Sequence, residues 1–180
     1  MFSQLPNFLT LLRIVMVPIV IVLLNQSEYS LALFVFTLAG ITDGLDGWIA
    51  KRYQLESALG AMLDPIADKL LLVSTYTMLA VLGDIPFWLL VLVLFRDILI
   101  VGGYWLLVAM DKKVKIHPIW LSKLNTFFQI LLVVLVLVHQ SGWLILDNII
   151  SATVVVVVLT TLSSGFSYML TGMRQMSSES

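Results

Sequence analysis

Four aspartates stand inside strongly apolar runs of this chain: Asp43, Asp46, Asp64 and Asp68. A charge of this kind costs about 2.5–3.5 kcal/mol near the centre of a membrane helix, and less toward its end. Asp43 and Asp46 are three apart and share a helical face; Asp64 and Asp68 are four apart, and Gly60 continues their stripe. Only a short polar connection separates the two runs, so their helices are expected to lie antiparallel and bring both pairs to similar depth. Carboxylates converging without nearby His or Cys suit a hard divalent ion, Mg²⁺ or Mn²⁺. Four such charges are enough for two ions, the arrangement that clamps attacking and leaving oxygens in phosphoryl chemistry. The alternative is that two of the aspartates only pair with Lys51, Arg52 or Lys69. Those three bases at helix ends do not balance four acids at one depth. Gly44 and Gly47 flank the cluster, where glycine serves either close packing or the approach of a ligand.

The elements that must position these acids follow from composition. Of 180 residues, 60% are hydrophobic and 12% charged, against about 45–50% and 25% in soluble domains. The excess falls in runs of about 20 residues, long enough to cross a hydrocarbon core. Reading those runs against their breakers predicts spans near 9–24, 29–50, 58–82, 86–108, 118–138 and 143–170. The expectation is an all-α polytopic membrane protein with six transmembrane helices, forming a single membrane domain over 1–180. An amphipathic start, with Phe2, Leu5, Phe8 and Leu9 against Gln4, Asn7 and Arg13, predicts a short interfacial helix first. No basic residue precedes the first apolar run, unlike a cleaved signal peptide, so that helix is expected to stay. The chain has no cysteine, which excludes disulfides, thiolate nucleophiles and zinc–cysteine sites. One side of the predicted topology receives Lys51, Arg52, Lys112, Lys113, Lys115 and Arg174; the other receives Glu28, Asp84 and His139. Basic loops stay cytoplasmic, which puts both termini and the acidic cluster inside. Attraction to anionic lipid heads accounts for the basic side, and no nucleic-acid partner is expected.

The residues around the acids also spell a pattern. Asp43-Gly44-Leu45-Asp46-Gly47-Trp48-Ile49-Ala50-Lys51 is followed, after eight residues, by Gly60-x3-Asp64-x3-Asp68. This resembles the signature of the CDP-alcohol phosphatidyltransferase family, D-x2-D-G-x2-A-R-x8-G-x3-D-x3-D. The single departure is Lys51 in place of the arginine, with Arg52 following. Lysine is a point charge and cannot bind phosphate with a fork. The predicted spans and cytoplasmic termini also resemble the family, so the likeness runs over essentially the whole chain. It implies a displacement at a pyrophosphate, dependent on Mg²⁺ or Mn²⁺ with two ions, in which an alcohol attacks the lipid-side phosphorus of CDP-diacylglycerol and CMP leaves. By the same resemblance Asp43, Asp46 and Asp64 are metal ligands, and Asp68 is both a ligand and the general base. Gly47, Lys51 and Ser57 would lie along the cytidine and phosphates. The family also implies a homodimer, and the location expected is a bacterial inner membrane among its lipids.

Three further groups of polar residues bear on the substrates. Asn7, Thr10 and Arg13 recur at spacing three and can reach the headgroup region; Asn7 and Thr10 are assigned to the CDP-lipid and Arg13 to the acceptor. The alternative is a solvated face of an interfacial helix. Arg96-Asp97 lies well inside the fourth span, and an intramembrane arginine is functional by default; the alternative is a self-contained pair that fixes helix packing. Lys123, in Ser122-Lys123-Leu124-Asn125-Thr126, is assigned with Arg96 to the acceptor, against the alternative of a lysine snorkelling to the interface. Within the family, phosphatidylglycerophosphate synthases resemble one another in a second arginine eight residues beyond the first, where this chain has Tyr104. The Arg96-Asp97 pair and the 122–126 stretch look more like the CMP-forming cardiolipin synthases. Phosphatidylglycerol is therefore favoured as acceptor, with glycerol 3-phosphate as the alternative. A divalent-cation channel or ion-coupled transporter is the reading from another class. It predicts polar residues toward both sides of the membrane, whereas here they gather toward one.

Overall fold

A computed structural model describes residues 5–53, 58–109 and 120–177, with side chains described over 10–44, 66–103 and 120–170. All regular structure among them is helical: α1 (Leu5–Asn25), α2 (Tyr29–Tyr53), α3 (Ala58–Leu82), α4 (Phe87–Ala109), α5 (Trp120–Gln140) and α6 (Asp147–Ser177). Among the described residues, breaks follow α1, α3 and α5 at polar connections, while α2 continues as helix through Lys51 to Tyr53. α1 runs unbroken from Leu5, so residues 5–9, expected in a separate interfacial helix, continue the first helix instead.

Three helix ends on the connections without lysine or arginine share one device. Ser27, Gly83 and Gly142 have positive φ of 60°, 85° and 75°, the left-handed conformation that stops a helix. After α1 the Glu28 amide donates to the Leu23 carbonyl at 2.9 Å, and after α3 the Asp84 amide donates to Leu79 at 2.9 Å. Both bonds satisfy carbonyls that the ended helix leaves open.

The helices gather into two compact units, one over residues 1–85 with 133–145 and the other over 86–132 with 146–180. In the first, α1 packs against both α2 and α3. Its buried stripe is Thr10, Arg13, Met16, Val20 and Leu24, a run at spacings of three and four that makes one helical face. Ala32 and Ala39 of α2 and Ala67 of α3 are fully buried, and such small side chains let apolar helices approach closely. The Asp84 carboxylate ties this unit at its other end, accepting from the Tyr29 hydroxyl at 3.0 Å and from the Gln140 side-chain amide.

In the second unit α4 packs against α6. The buried stripe of α6 is Thr153, Val157, Thr161 and Ser164, and that of α4 includes Leu89, Val93 and Arg96. The outward faces are apolar instead: Phe95, Ile98 and Val101 on α4, and Val155, Leu159, Leu162 and Phe166 on α6, are all exposed. Polar residues inside and bulky apolar ones outside reverse the order of a water-soluble domain. Trp88, Trp120 and Trp143, near helix ends, are exposed as well, where an aromatic belt would meet lipid headgroups. Thr75, Thr77 and Thr153 turn their hydroxyls back onto carbonyls four residues earlier, at 2.7–2.8 Å, so no polar hydrogen faces the apolar surroundings. Among the described residues two helical stretches are long and apolar enough to cross a membrane, Trp120–Gln140 and Asp147–Leu170, with shorter apolar stretches at Thr10–Asn25 and Tyr29–Gly44.

Candidate active site

Asp43 stands just past the middle of α2 and Asp68 at the start of the fourth turn of α3. The structure brings them together on one side chain of the helix that packs against both. Arg13 Nη1 donates to Asp68 Oδ1 at 2.7 Å, and Arg13 Nη2 lies 2.7 Å from Asp43 Oδ1. The guanidinium is fully buried, whereas the carboxylates are 42% and 49% exposed. The cation therefore comes from within the helix packing and the acids open outward. Two unit charges about 4 Å apart interact with about 4 kcal/mol at an effective dielectric near 20, so the arginine decides whether two converging carboxylates attract or repel the helices that carry them.

The burial of α1 at this level differs from the solvated-face reading of its polar stripe. Thr10 and Arg13 are buried at 0% and 1% exposure, so their stripe is not a solvated face. Nor does Arg13 stand apart as a cation waiting for an acceptor. Two of the aspartates, Asp43 and Asp68, pair with a base on α1. Asp46, Gly47 and Lys51 fall within α2, Asp64 within α3 and Asn7 within α1, and their side chains lie outside the described residues; Ser57 lies outside them entirely. A Cβ added at Gly44 would meet nothing within 4 Å, so this glycine leaves open space beside Asp43 rather than serving close packing.

The donors present fit a hard divalent ion. Asp43 and Asp68 each turn an oxygen to a common cation across two helices, and oxygen is the ligand that Mg²⁺ and Mn²⁺ prefer. Among the described residues no three acidic, His or Cys side chains converge.

A second polar constellation lies in the other unit. Arg96 is 5% exposed. Its Nη1 donates to Asp97 at 2.8 Å, and its Nη2 donates to the hydroxyls of Ser122 on α5 at 2.7 Å and Ser164 on α6 at 2.6 Å. One turn on, the Asn125 side-chain oxygen accepts from Thr160 at 2.9 Å and Thr161 at 2.8 Å. These bonds tie α4, α5 and α6 through their buried faces. Lys123 is exposed in the first turns of α5, and Thr126 donates back to the Ser122 carbonyl at 3.2 Å, so neither joins this network. Arg96 and Asp97 are thus not a self-contained pair, since the arginine also reaches α5 and α6. Ser122 belongs to the polar stretch singled out in the sequence, whereas Ser164 was not; the signal available was its place on the buried stripe of α6 with Thr153, Val157 and Thr161.

The acid pair bridged to a buried cation consists of the first and last aspartates of the pattern D-x2-D-G-x2-A-K-x8-G-x3-D-x3-D, on apolar helices. Residues 3–164 match the family model described as CDP-alcohol phosphatidyltransferase, and the chain belongs to that family of transferases. It is 34% identical over 178 residues to a protein of Mycobacterium tuberculosis (strain ATCC 25618 / H37Rv) named probable phosphatidylglycerophosphate synthase, covering 96% of this chain and 83% of that one. It is 36% identical over 171 residues to the CDP-diacylglycerol–glycerol-3-phosphate 3-phosphatidyltransferase of Rickettsia typhi, covering 92% and 95%. A probable cardiolipin synthase (CMP-forming) of Drosophila melanogaster is 34% identical over 141 residues, covering 69% of this chain and 44% of that protein.

Proposed function

We propose that this enzyme transfers a phosphatidyl group from CDP-diacylglycerol to the free hydroxyl of phosphatidylglycerol, releasing CMP and forming cardiolipin. The observation that carries the choice of acceptor is the state of Arg96. Glycerol 3-phosphate brings a phosphate dianion, which calls for fixed cations with unspent donors. Both terminal nitrogens of Arg96 are already bonded, to Asp97, Ser122 and Ser164, which leaves only its buried Nε without a partner, and Tyr104 stands where a second arginine would follow. A lipid hydroxyl makes a smaller demand. Glycerol 3-phosphate is the second reading, supported by the names of the M. tuberculosis and R. typhi relatives, which align with this chain over most of both lengths.

In this reading the acceptor oxygen bonds to the lipid-side phosphorus as the bond from that phosphorus to the bridging oxygen breaks. CMP departs with the bonding electrons, and the hydroxyl proton passes to the Asp68 carboxylate. Asp43, Asp46, Asp64 and Asp68 hold the divalent ions, which when bound orient the pyrophosphate and draw charge toward the departing CMP. Gly47, Lys51, Ser57, Asn7 and Thr10 line the CDP-lipid, and the exposed Lys123 attracts anionic headgroups. The chain crosses the membrane six times with its acids and termini in the cytoplasm, and works as a homodimer.

The test is CMP release by the purified protein with CDP-diacylglycerol and Mg²⁺, each acceptor being offered alone. Release with phosphatidylglycerol is the expected result. Release confined to glycerol 3-phosphate would establish the second reading and make the loop lysines 112, 113 and 115 its phosphate contacts.

A further inference from the structure

We propose that Arg13 is a positioning residue, the built-in counter-cation that holds Asp43 of α2 and Asp68 of α3 together while no divalent ion is bound, and that an entering ion competes with it for their oxygens. The inference rests on the reading of these aspartates as metal ligands.

Three observations carry it. First, one guanidinium serves two helices, with a separate terminal nitrogen 2.7 Å from an oxygen of each carboxylate. A planar fork can do this and a single ammonium cannot. Second, the burial is asymmetric. The arginine side chain is at 0% exposure while its partners are at 42% and 49%, so the internal cation reaches the acids from the packed side and an external ion from the open side. Third, α1 approaches at this level without hindrance, because Ala39, four residues before Asp43, and Ala67, beside Asp68, are both at 0% exposure. The arginine is placed by the helix packing, and the acids are placed by the arginine.

Competition follows from charge. A divalent ion on the same oxygens stands close to a fixed positive charge in surroundings that screen it poorly. Arg13 therefore weakens the binding of that ion, and the ion weakens the Arg13 bridge by the same factor. The acids stay converged without metal, and the ion must displace or share an internal partner to enter.

The experiment compares the wild-type protein, Arg13→Met and Arg13→Lys in detergent, reading Mn²⁺ affinity from the resonance of the free ion and thermal stability in EDTA and in excess Mn²⁺. Arg13→Met should unfold at a lower temperature than wild type in EDTA and recover most of the difference with Mn²⁺. It should also bind Mn²⁺ about tenfold more tightly. Arg13→Lys keeps the charge and safeguards folding, and should fall between the two. Unchanged or weaker Mn²⁺ affinity in Arg13→Met overturns the competition, and a loss of stability that Mn²⁺ does not restore reduces Arg13 to ordinary packing. Arg13→Lys equal to wild type in both readouts overturns the two-nitrogen bridge. A wild-type protein that takes up no Mn²⁺ overturns the metal reading itself, and is thereby distinguished from a failure of Arg13 alone.

Discussion

Arg13 and Arg96 are both buried, and the same residue type does different work in the two units. Arg13 meets carboxylates that are about half exposed, so its partners remain open to an exogenous cation. Arg96 meets one carboxylate and two hydroxyls, a set with no comparable outlet. Its stem also passes 3.9 Å from where a Cβ at Gly165 would stand, so it is packed as well as bonded. Arg96→Met removes the guanidinium from all three partners at once. Breaking a buried charge pair from one side typically costs about 3–5 kcal/mol, and thermal unfolding of the purified variant should show a loss of that order. Arg96→Lys should recover only part of it, since an ammonium cannot serve α4, α5 and α6 in one plane. Unchanged stability in Arg96→Met would assign the arginine to a ligand rather than to the fold.

At the scale of the helices, the breaks were legible because they rest on local chemistry. Asn25-Gln26-Ser27-Glu28 and Gly83-Asp84 interrupt apolar runs, and both sites are helix stops in the structure. The ends without a breaker were less legible: α6 begins at Asp147 and runs to Ser177, where the apolar run alone suggested 143–170. Ser27 is the odd member of the three stops, the only one that holds a left-handed conformation without being glycine. That conformation costs an L-residue about 1–2 kcal/mol, while glycine carries an unfolded-state penalty of roughly 0.5–1 kcal/mol. Ser27→Gly should therefore raise the unfolding temperature by about 1–4 °C, the shift that a gain of up to about 1 kcal/mol gives a chain of this size. A fall in that temperature would mean that the serine hydroxyl contributes more than the backbone loses. Asp84, read in the sequence only as an acid in a connecting loop, joins the start of α2 and the end of α5. No spacing rule shows a joint of that kind.

At the scale of the whole chain, the aspartate pattern sufficed for the family, while the Arg13 partner of Asp43 and Asp68 was hidden. Arg13 is 55 residues from Asp68, and local periodicity carries no information over such a distance; only packing of α1 against both other helices reveals it. The same holds for Ser164, which meets Arg96 from 68 residues away. The predicted topology is open to a direct check, because the chain has no cysteine of its own. A single cysteine at Lys113 and another at Ser141 should react oppositely with a membrane-impermeant thiol reagent. In intact cells the Ser141 position should be labelled and the Lys113 position protected, with the order reversed in inside-out vesicles. Equal labelling of both in intact cells would remove the six-span arrangement.

The Arg13 bridge also bears on how the chain is made. Its three members emerge in the order α1, α2, α3, so the arginine is synthesised well before its second partner. At about 5–20 residues per second, the 55 residues between Arg13 and Asp68 take roughly 3–11 s to appear. Until Asp43 emerges within that interval, α1 carries a charge that an isolated apolar helix accommodates poorly. The bridge is therefore completed in two steps, the first partner arriving with α2 and the second with α3.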